Sequence, residues 1–403
     1  MTLLRLIRRS LRRHALSTAV TVASLALASG LLLTVWNLRV QAAKAFTDAD
    51  AGFDAVLGAR SSKLQLVLST VFHLEASPGN LRWDDYVDVT NHPAVERAVP
   101  VAVGDNYYGY RLVGTLPVMF GKIDGSAGTR YTLQPGGRLF DPARREAVVG
   151  SFAAERLGLT VGDRFQPFHG LTFDPQKKHG ETFVVVGILK PSNTPADRVI
   201  WIPLAGMQNL GGHDPTTAQD ISGVLVKLRD GDPGAGFMLD MLYNRQGNQL
   251  TFAWPIAQVV SELFDKLGWI ERVLALVSWL VALVAAASVL TGLYNSMNER
   301  RRDLAVLRAL GAHRSTVFAA VVLEAGSIAS AGAALGFIAY FALMTIAASI
   351  VRAQTGVVLN PLAFAPVMFW GPAAIILLGA LAGLLPAWKA YRTGVAEVLC
   401  QTA

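Results

Sequence analysis

The sequence predicts a membrane α-helical protein with four transmembrane helices and one large α+β domain outside the bilayer, itself carrying an inserted β-rich subdomain. Three observations predict it. Four apolar runs are each long enough to cross a bilayer. The stretch between the first two runs alternates strand and helix patterns. The excess of basic over acidic residues lies beside these runs rather than in the stretch between the first two.

The 403-residue chain is 52% hydrophobic and 16% charged, with mean hydropathy +0.39. Soluble domains carry about 25% charged residues. This balance excludes disorder, collagen-like repeats and a disulfide-stapled scaffold, and the single cysteine, Cys400, excludes an internal disulfide. The net charge of +7 does not indicate nucleic acid. Residues 39–269 hold 22 Lys/Arg against 24 Asp/Glu, so the basic excess lies beside the apolar runs, where it sets topology.

The first span is assigned to 15–37, after a basic segment at 1–14. A signal peptide cut near Ala26-Leu27-Ala28 is the weaker reading, because the apolar run continues through Leu31-Leu32-Leu33. Stalk and first domain half follow at 38–115, with a helix at 83–92 closed by Pro93. Strands at 95–103 and 107–115 are split by Gly104-Asp105-Asn106. Residues 116–220, rich in Gly, Pro and β-formers, form the insertion, with FVVVGIL (183–189) and VIWI (199–202) as its clearest strands. The domain resumes over 221–256.

The second stalk and span occupy 257–294, an arginine-rich cytoplasmic segment 295–316, the third span 317–351, a short outer loop 352–365, the fourth span 366–388 and a tail 389–403. At 35 residues the third run exceeds one perpendicular crossing. It is expected to begin along the interface and enter near Glu324. The arginine bias places both termini in the cytoplasm and the large domain outside.

Val260, Leu263, Leu267, Ile270, Leu274 and Val277 repeat at spacings of three and four, as do Leu31, Val35, Leu38, Ala42 and Ala45. Such seams either cover the outer domain or pair two stalks. Gly332/Gly336 and Gly379/Gly383 are GxxxG pairs that permit close helix approach, a pattern that also arises by chance in Ala/Gly-rich spans. Glu324 is read as an interfacial acid beside an arginine, or as a functional intramembrane carboxylate. His169 and His179 share the insertion, but two loop histidines ten apart read as ordinary surface. No Ser-His-Asp set and no nucleotide loop is present. Gly114…Gly121-Lys122 has the wrong spacing and is followed by Ile123.

Between spans two and three, Asn298–Ala312 (NERRRDLAVLRALGA) reads as a short amphipathic helix with Leu304, Leu307 and Leu310 on one side and Gly311 as its stop. An Arg-rich interfacial helix of no special function would look the same. With Glu324 in VVLEAG, however, this stretch resembles the FtsX-like permeases, the ABC-transporter superfamily that includes MacB, LolC, LolE and FtsX. EAVVG at 146–150, LGLTVGD at 157–163, FVVVGIL, Asp197 with Ile202-Pro203-Leu204, and the tail segments 385–390 and 395–399 agree with it. Residues 52–80 do not match the lipoprotein releasers.

The resemblance implies a non-catalytic permease subunit of the bacterial inner membrane, working as a dimer with an identical copy or a close paralogue. Its implied partners are a separate cytoplasmic ATPase dimer, which uses the ATP and Mg, the bilayer, and a periplasmic adaptor or acceptor; no cofactor binds this chain. Glu299, Arg300, Asp303, Leu307, Arg308 and Gly311 would dock the ATPase. Leu38, Leu263, Leu267 and Ile270 would carry motion along the stalks to a domain that handles an amphiphile, peptide or lipoprotein. The alternatives are an FtsX-like scaffold that activates a cell-wall hydrolase and, against the coupling motif, a membrane sensor.

Overall fold

The computed structural model describes residues 12, 15–47, 52–121, 131–211, 219–230, 234–247, 249–299, 308–309 and 311–392. Two compact units emerge. One comprises 1–41, 268–349 and 360–403, and the other 42–267 and 350–359.

The first unit is helical. Helix α1 runs Ala15–Thr47. The domain of the second unit follows as β1 (Ala55–Ala59), α2 (Lys63–Thr70), α3 (Trp83–Thr90), β2 (Val95–Tyr107), β3 (Tyr110–Thr115), β4 (Glu146–Val149), α4 (Ser151–Leu157), β5 (Arg164–Phe165), β6 (Phe168–His169), β7 (Phe183–Ile188), β8 (Ile200–Pro203), α5 (Leu204–Gln208), β9 (Gly223–Leu228), α6 (Ala235–Asp240) and β10 (Leu250–Ala253). Then come α7 (Ile256–Glu299), α8 (Arg314–Thr355), α9 (Val367–Ala382) and α10 (Leu384–Arg392).

Among the described residues four helical segments are long and apolar enough to cross a membrane: 15–45, 256–295, 314–355 and 367–389. A helix satisfies most of its backbone groups internally, as a bilayer requires. Helix α8 is unbroken over 42 residues and passes through Glu324 without interruption. The fourth span is interrupted instead, at Gly383 between α9 and α10. The core of the helical unit sets small residues, Ala28, Ala282, Ala285, Ala325, Ala329 and Ala333 among them, between larger aliphatic ones such as Leu25, Val289, Leu293 and Ile328. Small side chains let helices approach closely where lipid offers no competing hydrophobic gain.

The second unit is built on one ten-stranded mixed sheet, ordered β10-β1-β9-β2-β3-β8-β4-β7-β5, with β6 beside β2. The inserted segment supplies β4 to β8 and joins the sheet through a parallel β3–β8 pair. It therefore extends the sheet rather than forming a separate one. Two apolar clusters cover the faces. Leu57, Phe183, Val185, Ile200 and Phe252 lie in one, and Trp201, Phe53, Leu66, Val99 and Leu189 in the other.

The expected break at 104–106 is displaced. β2 continues through Asp105 and Asn106 with a bulge between Val103 and Asp105, and the chain turns at Tyr108 and Gly109, both at positive φ. Paired positive φ values fit the tight turns that match strand twist. Asp105 and Asn106 are consequently strand residues, both fully buried.

Candidate transmission site

The segment expected in the cytoplasm follows α7, which ends at Glu299, five residues past the expected boundary at 294. Arg300, Asp303 and Leu307 lie outside the described residues, as does the side chain of Glu299. Arg308 is helical and half-buried. Gly311 has φ +100° and donates its N–H to the Arg308 carbonyl at 3.1 Å. That geometry ends a helical turn at a position only glycine occupies without strain. Helix α8 then begins at Arg314.

Within the helical unit, both glycine pairs sit at helix crossings. A Cβ at Gly332 would lie 2.5 Å from Leu25 Cβ, and one at Gly336 2.6 Å from Ser29 Cβ. Gly379 and Gly383 stand in the same relation to Ala329 and Ala325, at 2.4 and 2.5 Å. Glu324 is half-buried and lines a small cavity with Ser17, Thr21, Ser288 and Gly292.

At the other end of α8, the loop leading to α9 is tied within the helical unit. Gln41 donates to the Asn360 carbonyl at 2.9 Å and accepts from its N–H at 2.8 Å. The Tyr340 hydroxyl donates to the Pro361 carbonyl at 2.8 Å and accepts from Asn37.

Residues 350–359 belong to the domain unit and dock on its inserted segment. Arg352 pairs with Glu155 at 2.8 Å and lies over the Phe152 ring at 5.1 Å. Arg198 donates to the Gln354 carbonyl and stacks on Tyr110, and Asn193 accepts from the Val358 N–H. Burial pushes the Arg198 and Arg111 guanidiniums below their usual value. These two, with His73 and Thr355, line a cavity of about 180 Å³. Asp197 accepts from the N–H groups of Ser192 and Asn193 at 2.9–3.0 Å, which fixes the loop that makes these contacts.

The seam residues divide. Val260 is buried in a domain cluster and Leu263 is half-buried, whereas Ile270, Leu274 and Val277 are exposed on the helical unit. Leu38 is half-buried, and the side chain of Leu267 lies outside the described residues. Sequence reasoning missed Arg352, Arg198 and Asn193 altogether. Arg352 is a single arginine in an otherwise uncharged loop, and no local pattern marks its partner.

A family model described as MacB-like periplasmic core domain matches residues 15–236, more than half of the chain. A second, described as FtsX-like permease C-terminal, matches 275–395. The chain belongs to the FtsX/MacB-type ABC permease family. Its α+β unit is the periplasmic core of such a permease, and the family implies an ABC ATPase as partner.

Among curated proteins, the macrolide export ATP-binding/permease protein MacB of Escherichia coli is 25% identical over 222 residues, covering 52% of this chain and 32% of the relative. MacB 2 of Escherichia coli O1:K1 / APEC matches equally. The match thus spans about a third of the length of these relatives. Among solved structures, the periplasmic region of MacB from Actinobacillus actinomycetemcomitans aligns with TM-score 0.34 and 12% identity, over 54% of this chain and 94% of that one. The extracellular domain of the transporter YknZ from Gram-positive bacteria aligns with TM-score 0.31 and 17% identity, over 49% and 99%.

Proposed function

We propose that this FtsX/MacB-type permease relays motion from a separate cytoplasmic ATPase to its periplasmic domain, and so expels or extracts an amphiphile, peptide or lipoprotein at the outer face of the inner membrane. Both termini face the cytoplasm. Two copies, or one copy and a paralogue, act with two ATPase subunits, which bind and hydrolyse ATP with Mg. A periplasmic adaptor or acceptor receives the cargo. Residues 298–312 take the force and the long helices pass it on.

The observation that carries this reading is α8. It starts directly after the arginine-rich segment, runs unbroken to Thr355, and ends in residues that Glu155 and Arg198 grip, with Asn193 holding Val358 just beyond. A continuous helix held at its far end conveys a displacement that a hinged one would absorb. The E. coli relatives, macrolide export ATP-binding/permease proteins, support export as the direction.

The test is reconstitution of the chain with its cognate ATPase in nanodiscs. The reading expects the chain to raise ATP hydrolysis above that of the ATPase alone, and Arg352→Glu to lower the gain. Hydrolysis unchanged by the chain would refute it.

A further inference from the structure

We propose that Asp105, His169 and His179 form a binding site for one divalent transition-metal ion of the zinc class, on the periplasmic domain. The proposal stands on these residues alone and is independent of the transport reading.

Strand pairing brings the three together. Asp105 on β2 is the cross-strand partner of His169 on β6. The chain then returns as a hairpin, in which Phe168 faces Lys178, the His169 N–H bonds the Lys177 carbonyl, and the His179 N–H bonds the Pro167 carbonyl. With that register His169 and His179 are diagonal neighbours on one face, and diagonal neighbours in a sheet are within reach of long side chains. The bulge before Asp105 re-aims that strand, a common device where a side chain must point at a site.

The distances suit a metal. Asp105 Oδ1 lies 3.3 Å from His169 Nδ1 and 3.3 Å from His179 Nε2, and all three donor atoms lie within 4.8 Å of one another. Zinc bonds to nitrogen and oxygen of about 2.0–2.2 Å give tetrahedral edges of roughly 3.3–3.6 Å. Charge-assisted hydrogen bonds are shorter, about 2.7–2.9 Å. Two imidazoles and a carboxylate are a donor set for zinc and its first-row neighbours, not for calcium or magnesium.

The surroundings hold the donors still. The Asp105 side chain is 0% exposed and that of His179 5%, while His169 at 47% leaves an entry from solvent. The Gly170 N–H donates to Asp105 Oδ1 at 3.1 Å. The Asn106 amide donates to the carbonyls of Gly170 and Thr172 at 2.7 and 3.1 Å, which orders the loop after His169. Phe168 and Phe173 pack at 4.8 Å beside it. Outer contacts of this kind keep ligands oriented. Three protein donors leave a fourth position for water or an external donor, and the bound ion would clamp the 167–179 hairpin onto β2.

The experiment uses the full chain in detergent, stripped with a chelator and then titrated with zinc or cobalt. The expected result is one metal per chain, a cobalt visible spectrum that zinc abolishes, and a zinc-dependent rise in melting temperature that chelator reverses. His169→Gln and His179→Gln should each weaken binding at least roughly 10-fold, the lower bound set by outer-shell changes. His92→Gln, a histidine elsewhere on the domain, should bind as the native chain does. His169→Gln is the decisive variant, because its half-exposed position lets it fold, which an unchanged chelator-treated melting curve verifies. No stoichiometric binding by the native chain, or equal binding by the His169→Gln/His179→Gln double variant, overturns the site and leaves a hydrogen-bonded Asp–His cluster.

Discussion

Gly332 lies against Leu25 so closely that a methyl group at position 332 would sit 2.5 Å from the Leu25 Cβ and 3.3 Å from the Val22 carbonyl. The crossing of α1 and α8 therefore requires glycine there. Gly332→Ala should destabilise the helical unit by about 1–3 kcal/mol, the range for overpacking. Gly326 on the same helix has nothing within 4 Å of its Cβ position. Gly326→Ala should be neutral or stabilising by up to about 1 kcal/mol through helix propensity. Thermal melts of the two variants in one detergent should shift in opposite directions or, at the least, only the first should fall.

His73 supplies a pH dependence. Burial first, and the Arg111 charge second, lower its pKa from 6.5 to about 3. The unfolded chain therefore takes up this proton below pH 6.5 while the folded one does not until about 3. Its contribution to stability is complete above pH 6.5 and declines on acidification, by on the order of 1.4 kcal/mol per pH unit. His73→Asn should flatten the melting-temperature profile between pH 6.5 and 5, and asparagine tolerates the φ of +52° found there. Glu146, held below the ordinary carboxylate range by its hydrogen bond from Arg138, acts in a separate window. Its stabilisation is lost only as pH falls below 4.5. A variant profile parallel to that of the native chain above pH 5 would contradict the assignment to His73.

The Arg352–Glu155 pair is half-exposed, so its coupling energy in a double-mutant cycle should be about 0.2–1 kcal/mol. Its effect on work should be larger than its effect on stability. Arg352→Glu replaces the ion pair with Glu155 by two like charges and also removes the stacking on Phe152. The variant should insert and fold, yet lose most of the ATPase stimulation that the native chain gives. Full stimulation would show that this contact serves only the packing of residues 350–359.

Topology can be read with the native cysteine. Cys400 should react only with a permeant thiol reagent, or after the membrane is opened. Lys190→Cys in a Cys400→Ser background, at an exposed position of the domain, should react with an impermeant reagent from outside. Reaction of both from one side would remove the two-sided arrangement.

Much of this was legible in the sequence, for definable reasons. The apolar runs placed four helices, because bilayer thickness and backbone desolvation leave few alternatives. The GxxxG spacings marked Gly332, Gly336, Gly379 and Gly383, and the structure shows which neighbours they meet. Strand boundaries near 104–106 were misplaced because Gly104-Asp105-Asn106 has turn composition, and a bulge absorbs it within β2. Contacts across long sequence separations were not legible. Arg352 meets Glu155, and Asp105 meets His169 and His179, only because the sheet register and the course of the 350–359 segment bring them together. No local pattern of residues encodes such an encounter.

The central claim, that the segment joining α7 and α8 receives the ATPase, is tested most directly by reversing its charges. Like charges meeting across an interface cost several kcal/mol, so Glu299→Arg/Arg308→Glu should weaken docking more than neutral substitutions at the same positions. The measurement is co-purification of the ATPase with the double variant, read beside ATP hydrolysis in nanodiscs. The account predicts a membrane-inserted, folded permease that no longer retains the ATPase or stimulates it. Full retention with native hydrolysis would contradict it and place docking elsewhere on the chain.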